Sequence, residues 1–293
     1  MSEAKWATWN PVTGCVKISG GCAECYAERI SHKYGTTSLP WNAANASVNV
    51  VLHPDRMDAP LHWRKSREIF AGSMTDLFGE VVPEDYVAQI LAVIALAKGS
   101  SFMIITKRAA RMARLLCAPG FWDHISEAAG IYRANLKDDS RLSSPGEMAA
   151  IAERHLIPNL TLAVTIESNR FVDRADALRV TPAARRMIAA EPLLTGLPSL
   201  TFAGFDAISV GGESGGSPQR ALVERCPDPG HVRSGHWIDA RCGGTGWAPK
   251  ETALAWVRDI RDRAQAAGIE FSLHQWGGPY GGAGGTTLDG RTY

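Results

Sequence analysis

A chain of 293 residues can bury a large core and fits one α/β barrel-sized domain or two ordinary ones. Its 31 Lys and Arg stand against 30 Asp and Glu, a net charge of +1 that excludes bulk electrostatic attraction as the main means of holding nucleic acid. Six cysteines are too few for a disulfide scaffold, and the longest apolar run, Val87 to Ala97, is too short to span a bilayer. The opening Met-Ser-Glu-Ala-Lys-Trp carries no charged-then-apolar signal pattern, so a cytoplasmic protein without membrane attachment is expected.

Three of the six cysteines, Cys15, Cys22 and Cys25, fall in the stretch Thr13-Gly-Cys-Val-Lys-Ile-Ser-Gly-Gly-Cys-Ala-Glu-Cys-Tyr-Ala27, spaced C-x6-C-x2-C. Glycines 14, 20 and 21 let the backbone fold back so that three sulfurs converge. Three thiolates are one short of a closed structural zinc site or a fully ligated iron–sulfur cube. That odd count points to a [4Fe–4S] cluster with one corner open for chemistry. A zinc site completed by a nearby His such as His32, or uncoordinated thiols, are the alternatives. Trp6 and Trp9 are placed to shield the loop.

Beyond the loop the sequence predicts a short helix over Tyr26–Tyr34 and a strand at Val48–Leu52. A rhythm then begins in which short apolar runs end in small or polar residues and helical stretches follow. The runs are Glu68–Asp76, Phe102–Arg108, Leu160–Glu167, Arg186–Leu194, Ala207–Ser214 and Ile269–Trp276. The predicted helices are Pro83–Lys98, Arg111–Leu116, Arg170–Ala177 and Lys250–Ala267, the last stopped by Gly268. This alternation predicts an α/β fold with a parallel sheet closed or partly closed into a barrel. One domain is expected over 1–293: a cysteine loop and N-terminal segment at 1–63, a partly helical insertion at 117–158, a Cys/His-containing insertion at 217–249 and a Gly-rich tail at 277–293 that folds over the barrel mouth.

Catalytic groups in such barrels sit at the C-terminal strand ends. Those ends supply Ser73, Thr75 and Asp76; Lys107 and Arg108; Thr165 and Glu167; Glu191; Gly211, Gly212, Glu213 and Ser214; and His274 and Gln275. Paired glycines at 211–212 let a ligand approach the backbone, although a tight βα turn explains them equally. Either Lys107 and Arg108 are the counterions of the acids Glu167, Glu191 and Glu213, or the ligand is cationic. Arg108, Arg111 and Arg114 share helical spacing and read either as a phosphate contact or as a solvated helix face. Cys226, His231, His236 and Cys242 form a C-x4-H-x4-H-x5-C set, a candidate structural zinc site. Cys117 stands alone in the sequence as a core or near-surface thiol.

Several segments together resemble the phage-associated three-Cys-motif proteins, a family long catalogued as a domain of unknown function. They are Trp9-Asn-Pro-Val-Thr-Gly-Cys15, Gly21-Cys-Ala-Glu-Cys-Tyr-Ala27, Gly72-Ser-Met-Thr-Asp-Leu-Phe78, Thr106-Lys-Arg108, Ile166-Glu167, Glu191-Pro-Leu-Leu194, Val210-Gly-Gly-Glu-Ser-Gly215, Trp256–Asp262, Gln275-Trp-Gly277 and Leu288-Asp-Gly-Arg-Thr292. The family in turn is similar to radical SAM enzymes, which implies a partial (β/α)6 barrel. The resemblance also implies a [4Fe–4S] cluster on Cys15, Cys22 and Cys25, with S-adenosylmethionine on its open iron. The first cysteine gap is six residues here where radical SAM enzymes have three, and Glu24 stands where they carry an aromatic residue.

On this resemblance, Ser73, Thr75, Asp76, Gly211, Gly212, Glu213 and Ser214 are cofactor-binding candidates, and Glu167, Glu191, Glu213 and Lys107 catalytic ones. The implied function is hydrogen abstraction from a modified nucleobase or nucleotide in phage DNA thymidine hypermodification, with a radical isomerisation as the reaction. It needs an external one-electron donor and takes place in the cytoplasm of a bacterial host. The alternatives are a DNA lesion repair lyase using the same radical and a non-catalytic zinc-binding protein that interacts with nucleic acid.

Overall fold

The computed structural model describes residues 6–37, 39–136, 140–215, 222–225, 246–280 and 283–293. The candidate zinc residues Cys226, His231, His236 and Cys242 lie outside the described residues. The fold is mixed α/β, with parallel strands followed by helices as the apolar rhythm predicts. Two compact units are present. One takes in described residues of Met1–Lys17, Ala27–Val164 and Asp176–Arg186; the other takes in those of Ile18–Tyr26, Thr165–Ala175 and Met187–Tyr293.

In the first unit four strands run parallel in chain order: β1 (Ala7–Trp9), β2 (Glu68–Ala71), β3 (Ser101–Thr106) and β4 (Leu160–Thr165). Three of them match predicted runs. The short β1 is additional; its register pairs Ala7 with Ile69 and Trp9 with Ala71. Trp9 is buried, packs edge to face on Phe102 with ring centroids 6.1 Å apart, and donates from Nε1 to the Arg56 carbonyl at 2.8 Å. It is thus a core residue, whereas Trp6 is 44% exposed. Alternation in β3 buries Phe102, Ile104 and Thr106 on one face.

The helix Glu84–Leu96 is apolar on nearly every side and correspondingly buried. It packs against Pro119–Ala134, whose Phe121, Trp122, Ile125, Ala128 and Ala129 make a buried stripe at helical spacing. The predicted irregular insertion is therefore more regular than expected. It holds that helix and a second, Pro145–Arg154. Ser144 caps the second: its hydroxyl accepts from Glu147 N at 3.2 Å, and the Glu147 carboxylate accepts from Ser144 N at 2.5 Å. The strand predicted at Val48–Leu52 shrinks to Val51–Leu52. Residues Ala46–Asn49 turn helical because the Asn42 side chain caps the preceding turn through Asn45 N.

The second unit carries three parallel strands in the order β5 (Arg185–Ala190), β6 (Ala207–Gly211) and β7 (Glu270–Gln275). The helix Glu251–Ala266 buries Ala253, Leu254, Val257, Ile260 and Ala264, and ends where Gly268 takes φ +71°. The tail is anchored rather than loose. Trp276 is fully buried; its backbone N donates to Gly285 O at 3.0 Å and its Nε1 to Thr287 O at 2.7 Å. The hairpin Thr287–Leu288 with Arg291–Thr292 turns at Asp289, whose carboxylate accepts from Arg258 at 2.6 Å and from Arg261 at 2.6 Å.

Those two guanidinium groups pull the Asp289 carboxyl down to about 2. A carboxyl lowered on folding contributes stability that is fully present above its unfolded value and lost as pH falls through the folded one. Wild type should therefore exceed Asp289→Asn in urea midpoint near about pH 6, with the gap closing as pH approaches about 2. A gap independent of pH in parallel urea melts would show that the tail is held by other contacts.

Candidate functional site

In the first unit the cysteine loop begins at a short parallel bridge between Gly14 and Thr75. Gly14 N donates to Met74 O at 2.9 Å, and Thr75 Oγ1 donates to Gly14 O at 2.6 Å. Beside it, Asn10 exchanges hydrogen bonds with the Ser73 hydroxyl at 3.0 and 3.2 Å and accepts from Met74 N at 2.9 Å. Ser73 and Thr75, which the sequence marks as cofactor contacts, thus brace the backbone that delivers Cys15.

Asp76, 7% exposed, is the hub of this end of β2 and β3. Its Oδ1 accepts from Thr106 Oγ1 at 2.6 Å and Phe78 N at 3.1 Å; its Oδ2 accepts from Lys107 N at 3.0 Å and Arg108 Nη1 at 3.1 Å. Arg108 is also buried. It donates to Glu80 at 2.7 Å and to Val16 O at 2.8 Å, and its Nη1 lies 3.7 Å from the Cys15 sulfur. Burial works against its charge, but Asp76, a Cys15 thiolate and Glu80 outweigh it and raise the guanidinium pKa. Glu80 is lowered in return: desolvation opposes the shift and the Arg108 hydrogen bond overcomes it.

The basic cluster is therefore not an open anion site. The helix forms as predicted, over Ala109–Leu116, but Arg111 donates to the carbonyls of Gly79 and Val82, and Arg114 pairs with Glu84 at 2.6 Å. The cations are taken up by this chain's own 79–84 segment. Lys107 offers its backbone N–H to Asp76, and its side chain is half-buried.

In the second unit Cys22 closes the turn Gly20–Cys22, its sulfur 3.7 Å from the Ser19 hydroxyl, and Cys25 directly precedes the helix Tyr26–Lys33. Glu167, fully buried, supports that turn: its Oε1 accepts from Gly21 N at 3.4 Å, and a Cβ on Gly21 would meet the carboxylate at 3.2 Å. The counterion of Glu167 is Arg174, at 2.7 Å, in place of the expected Lys107 or Arg108. Arg174 also donates to Thr165 O at 2.8 Å and lies over the Phe171 ring, 4.2 Å from its centroid.

Glu191 follows β5 and enters a cis bond to Pro192. Its carboxylate accepts from the Ser209 hydroxyl and lies 2.9 Å from His274 Nδ1. The Gly211–Gly212 pair serves close packing of the chain on itself. A Cβ on Gly211 would lie 3.0 Å from the Glu191 side chain, and one on Gly212 would lie 1.9 Å from the Trp276 carbonyl. Glu213 is buried, its carbonyl accepting from Gly278 N at 2.8 Å, and Ser214 donates to Gln275 at 3.0 Å. Cys117 is exposed, with its thiol 3.4 Å from Val180 O.

None of Cys15, Cys22, Cys25 and Cys117 is in a disulfide, and the first three are half-buried. Among the described residues no group of three or more His, Cys, Asp or Glu is drawn together as metal ligands. The chemistry of the donor set nonetheless fits an iron–sulfur cluster: three unoxidised cysteines, glycine at the turns, and a buried guanidinium beside one sulfur. The sequence does not reveal Asn10, Glu80 and Arg174 as members of these networks, because each joins through tertiary contact rather than a motif.

These features define a mixed α/β protein of parallel strands whose C-terminal ends carry buried, internally bonded polar networks beside a cysteine-rich loop. Residues 2–226 match the family model described as Protein of unknown function (DUF5131), and the chain belongs to that family. No match was found among curated proteins or solved structures. No helix among the described residues is long and apolar enough to cross a membrane.

Proposed function

We propose that this chain is a radical SAM-type iron–sulfur enzyme built on a partial (β/α)6 barrel, with Cys15, Cys22 and Cys25 as the cluster ligands. The carrying observation is the cysteine loop itself: three half-buried thiols within eleven residues, backed by strand ends that hold its backbone in place. A bound [4Fe–4S] cluster with S-adenosylmethionine, given one electron by an external donor, would supply a 5′-deoxyadenosyl radical for hydrogen abstraction. The chain's own residues hold and orient. Thr75 and Asn10 fasten the start of the loop, and Glu167 supports the turn at Gly21. Arg108 sets a positive charge beside Cys15. The Glu191–His274 pair, partly exposed, can hold or pass a proton at Nδ1.

A modified nucleobase in phage DNA is the substrate class this reading favours, with isomerisation of a base substituent as the reaction, in the cytoplasm of a bacterial host. The test is anaerobic purification with iron and sulfide analysis, followed by reduction in the presence of S-adenosylmethionine. The expected result is about four irons per chain, absorbance near about 400 nm and formation of 5′-deoxyadenosine. Alanine at Cys15, Cys22 and Cys25 together should abolish all three. A colourless protein that carries zinc would overturn the reading in favour of a zinc-binding role.

A further inference from the structure

Two cavities of the first unit lie at the opposite, N-terminal ends of β2, β3 and β4, away from the strand ends described above. One, an open hollow of about 370 Å³, has walls that include Arg67, Glu68, Lys98, Ser66 and Ser101. The other, of about 310 Å³, has apolar walls at Ala95, Ile151, Leu156 and Pro158 together with the charged Lys98, Glu147 and Arg154. Lys98 and Asn159 line both, so the cavities adjoin. Each falls in the size range of small-molecule sites.

The walls are fixed before any ligand arrives. Asn159 Nδ2 reaches the carbonyls of Ile94, Ala97 and Ser100 at 2.9, 3.1 and 3.0 Å, which clamps the turn carrying Lys98. Ser101 N donates to Arg67 O at 3.0 Å, Ser100 Oγ accepts from Arg67 N at 3.2 Å, and Arg67 lies over the Trp63 ring at 4.9 Å. The walls carry three cations, Arg67, Lys98 and Arg154, against two acids, Glu147 and Glu68. Lys98 pairs with Glu147 at 2.9 Å. Neither Arg67 nor Arg154 has a carboxylate within ion-pair distance among the described residues.

We propose that these adjoining cavities form a binding site for an amphipathic organic phosphate of nucleotide size. The phosphate lies among Arg67, Lys98 and the serine hydroxyls, and the planar or apolar body lies against Ile151 and Leu156. Guanidinium and ammonium groups supply the charge-assisted hydrogen bonds a phosphate needs, and the apolar wall supplies the area that a bare phosphate lacks. The site does not depend on the cluster reading and is expected in the protein as purified without iron.

The test is fluorescence anisotropy of a mant-labelled ADP against the full chain, with adenosine, inorganic phosphate and a single-stranded oligonucleotide as competitors. Saturable binding is expected, competed by unlabelled ADP and weakly by phosphate but not by adenosine. Affinity should fall at least about tenfold in Lys98→Gln and in Arg154→Gln, both surface changes that spare the core. Leu156→Asn, at a half-buried position, should weaken mant-ADP while leaving phosphate competition in place. Absence of binding up to about 1 mM, or equal affinity in all variants, overturns the proposal. Competition by the oligonucleotide alone overturns it too, because the phosphates recognised would then belong to a nucleic acid strand.

Discussion

Replacing Arg174 by Met is expected to cost about 3–5 kcal/mol of unfolding free energy, because it strands a carboxylate that water cannot reach. Glu167 is 0% exposed and Arg174 is 7% exposed, and the pair closes at 2.7 Å. Met retains the length and much of the packing of Arg174, so the loss is chiefly electrostatic. Glu167→Gln should also destabilise, since the buried guanidinium then keeps only neutral acceptors, the amide oxygen and the Thr165 carbonyl, beside the Phe171 ring. The double variant should recover at least half of the summed loss, because neither buried charge then remains. Urea melts of the four proteins complete the cycle. A sum of single effects equal to the double would show that the two side chains are not coupled.

The same cycle separates the two roles open to Glu167. Its carboxylate touches Gly21 within the cysteine loop and is not exposed toward solvent. If it acts only by placing that loop, the double variant should regain iron binding and 5′-deoxyadenosine formation along with stability. If it contacts the reacting groups, stability and iron should return while turnover stays lost.

The parallel strands were legible because apolar runs of β-branched and small residues, each ended by a polar residue, have few other uses in a chain of this size. All six predicted runs contain a strand. The added strand Ala7–Trp9 was not legible: three residues carry no period, and its pairing is dictated by Ile69–Ala71. Two helices hidden in the 117–158 segment were legible in principle, from the Phe121–Ala129 stripe and the Ser144/Glu147 capping box. The strand-end polar groups were located correctly, but their partners were not. Arg174 reaches Glu167 only because a tight turn at Asn169–Phe171 folds the chain back. Arg108, Arg111 and Arg114 left a phosphate contact open in the sequence because the groups that absorb them, at Val16, Asp76 and residues 79–84, come together only through the fold.

Gly14→Ala should be the most damaging single methyl in the cysteine loop, costing above about 4 kcal/mol. Gly14 has φ +84°, where an L side chain costs roughly 1–2 kcal/mol by itself. The added Cβ would also fall 1.7 Å from the Asn49 carbonyl oxygen and 2.5 Å from its carbon. Asn49 cannot yield easily: it is 3% exposed, its amide donates to Pro40 O at 2.9 Å, and its side-chain oxygen accepts from Thr37. On the other side Gly14 is tied to Met74 and Thr75, so relief of the clash must break one of those bonds. Gly35→Ala isolates the backbone part, since Gly35 has φ +70° with no atom within 4 Å of the new Cβ. It should cost only about 1–2 kcal/mol. Urea melts of both variants, with iron analysis of each after anaerobic preparation, give the comparison. Gly14→Ala should lose iron where Gly35→Ala keeps it, because Cys15 is the next residue along a backbone that has been forced to move. Equal stabilities for the two variants would mean that Asn49 does not close on Gly14, and that the start of the loop is looser than its hydrogen bonds require.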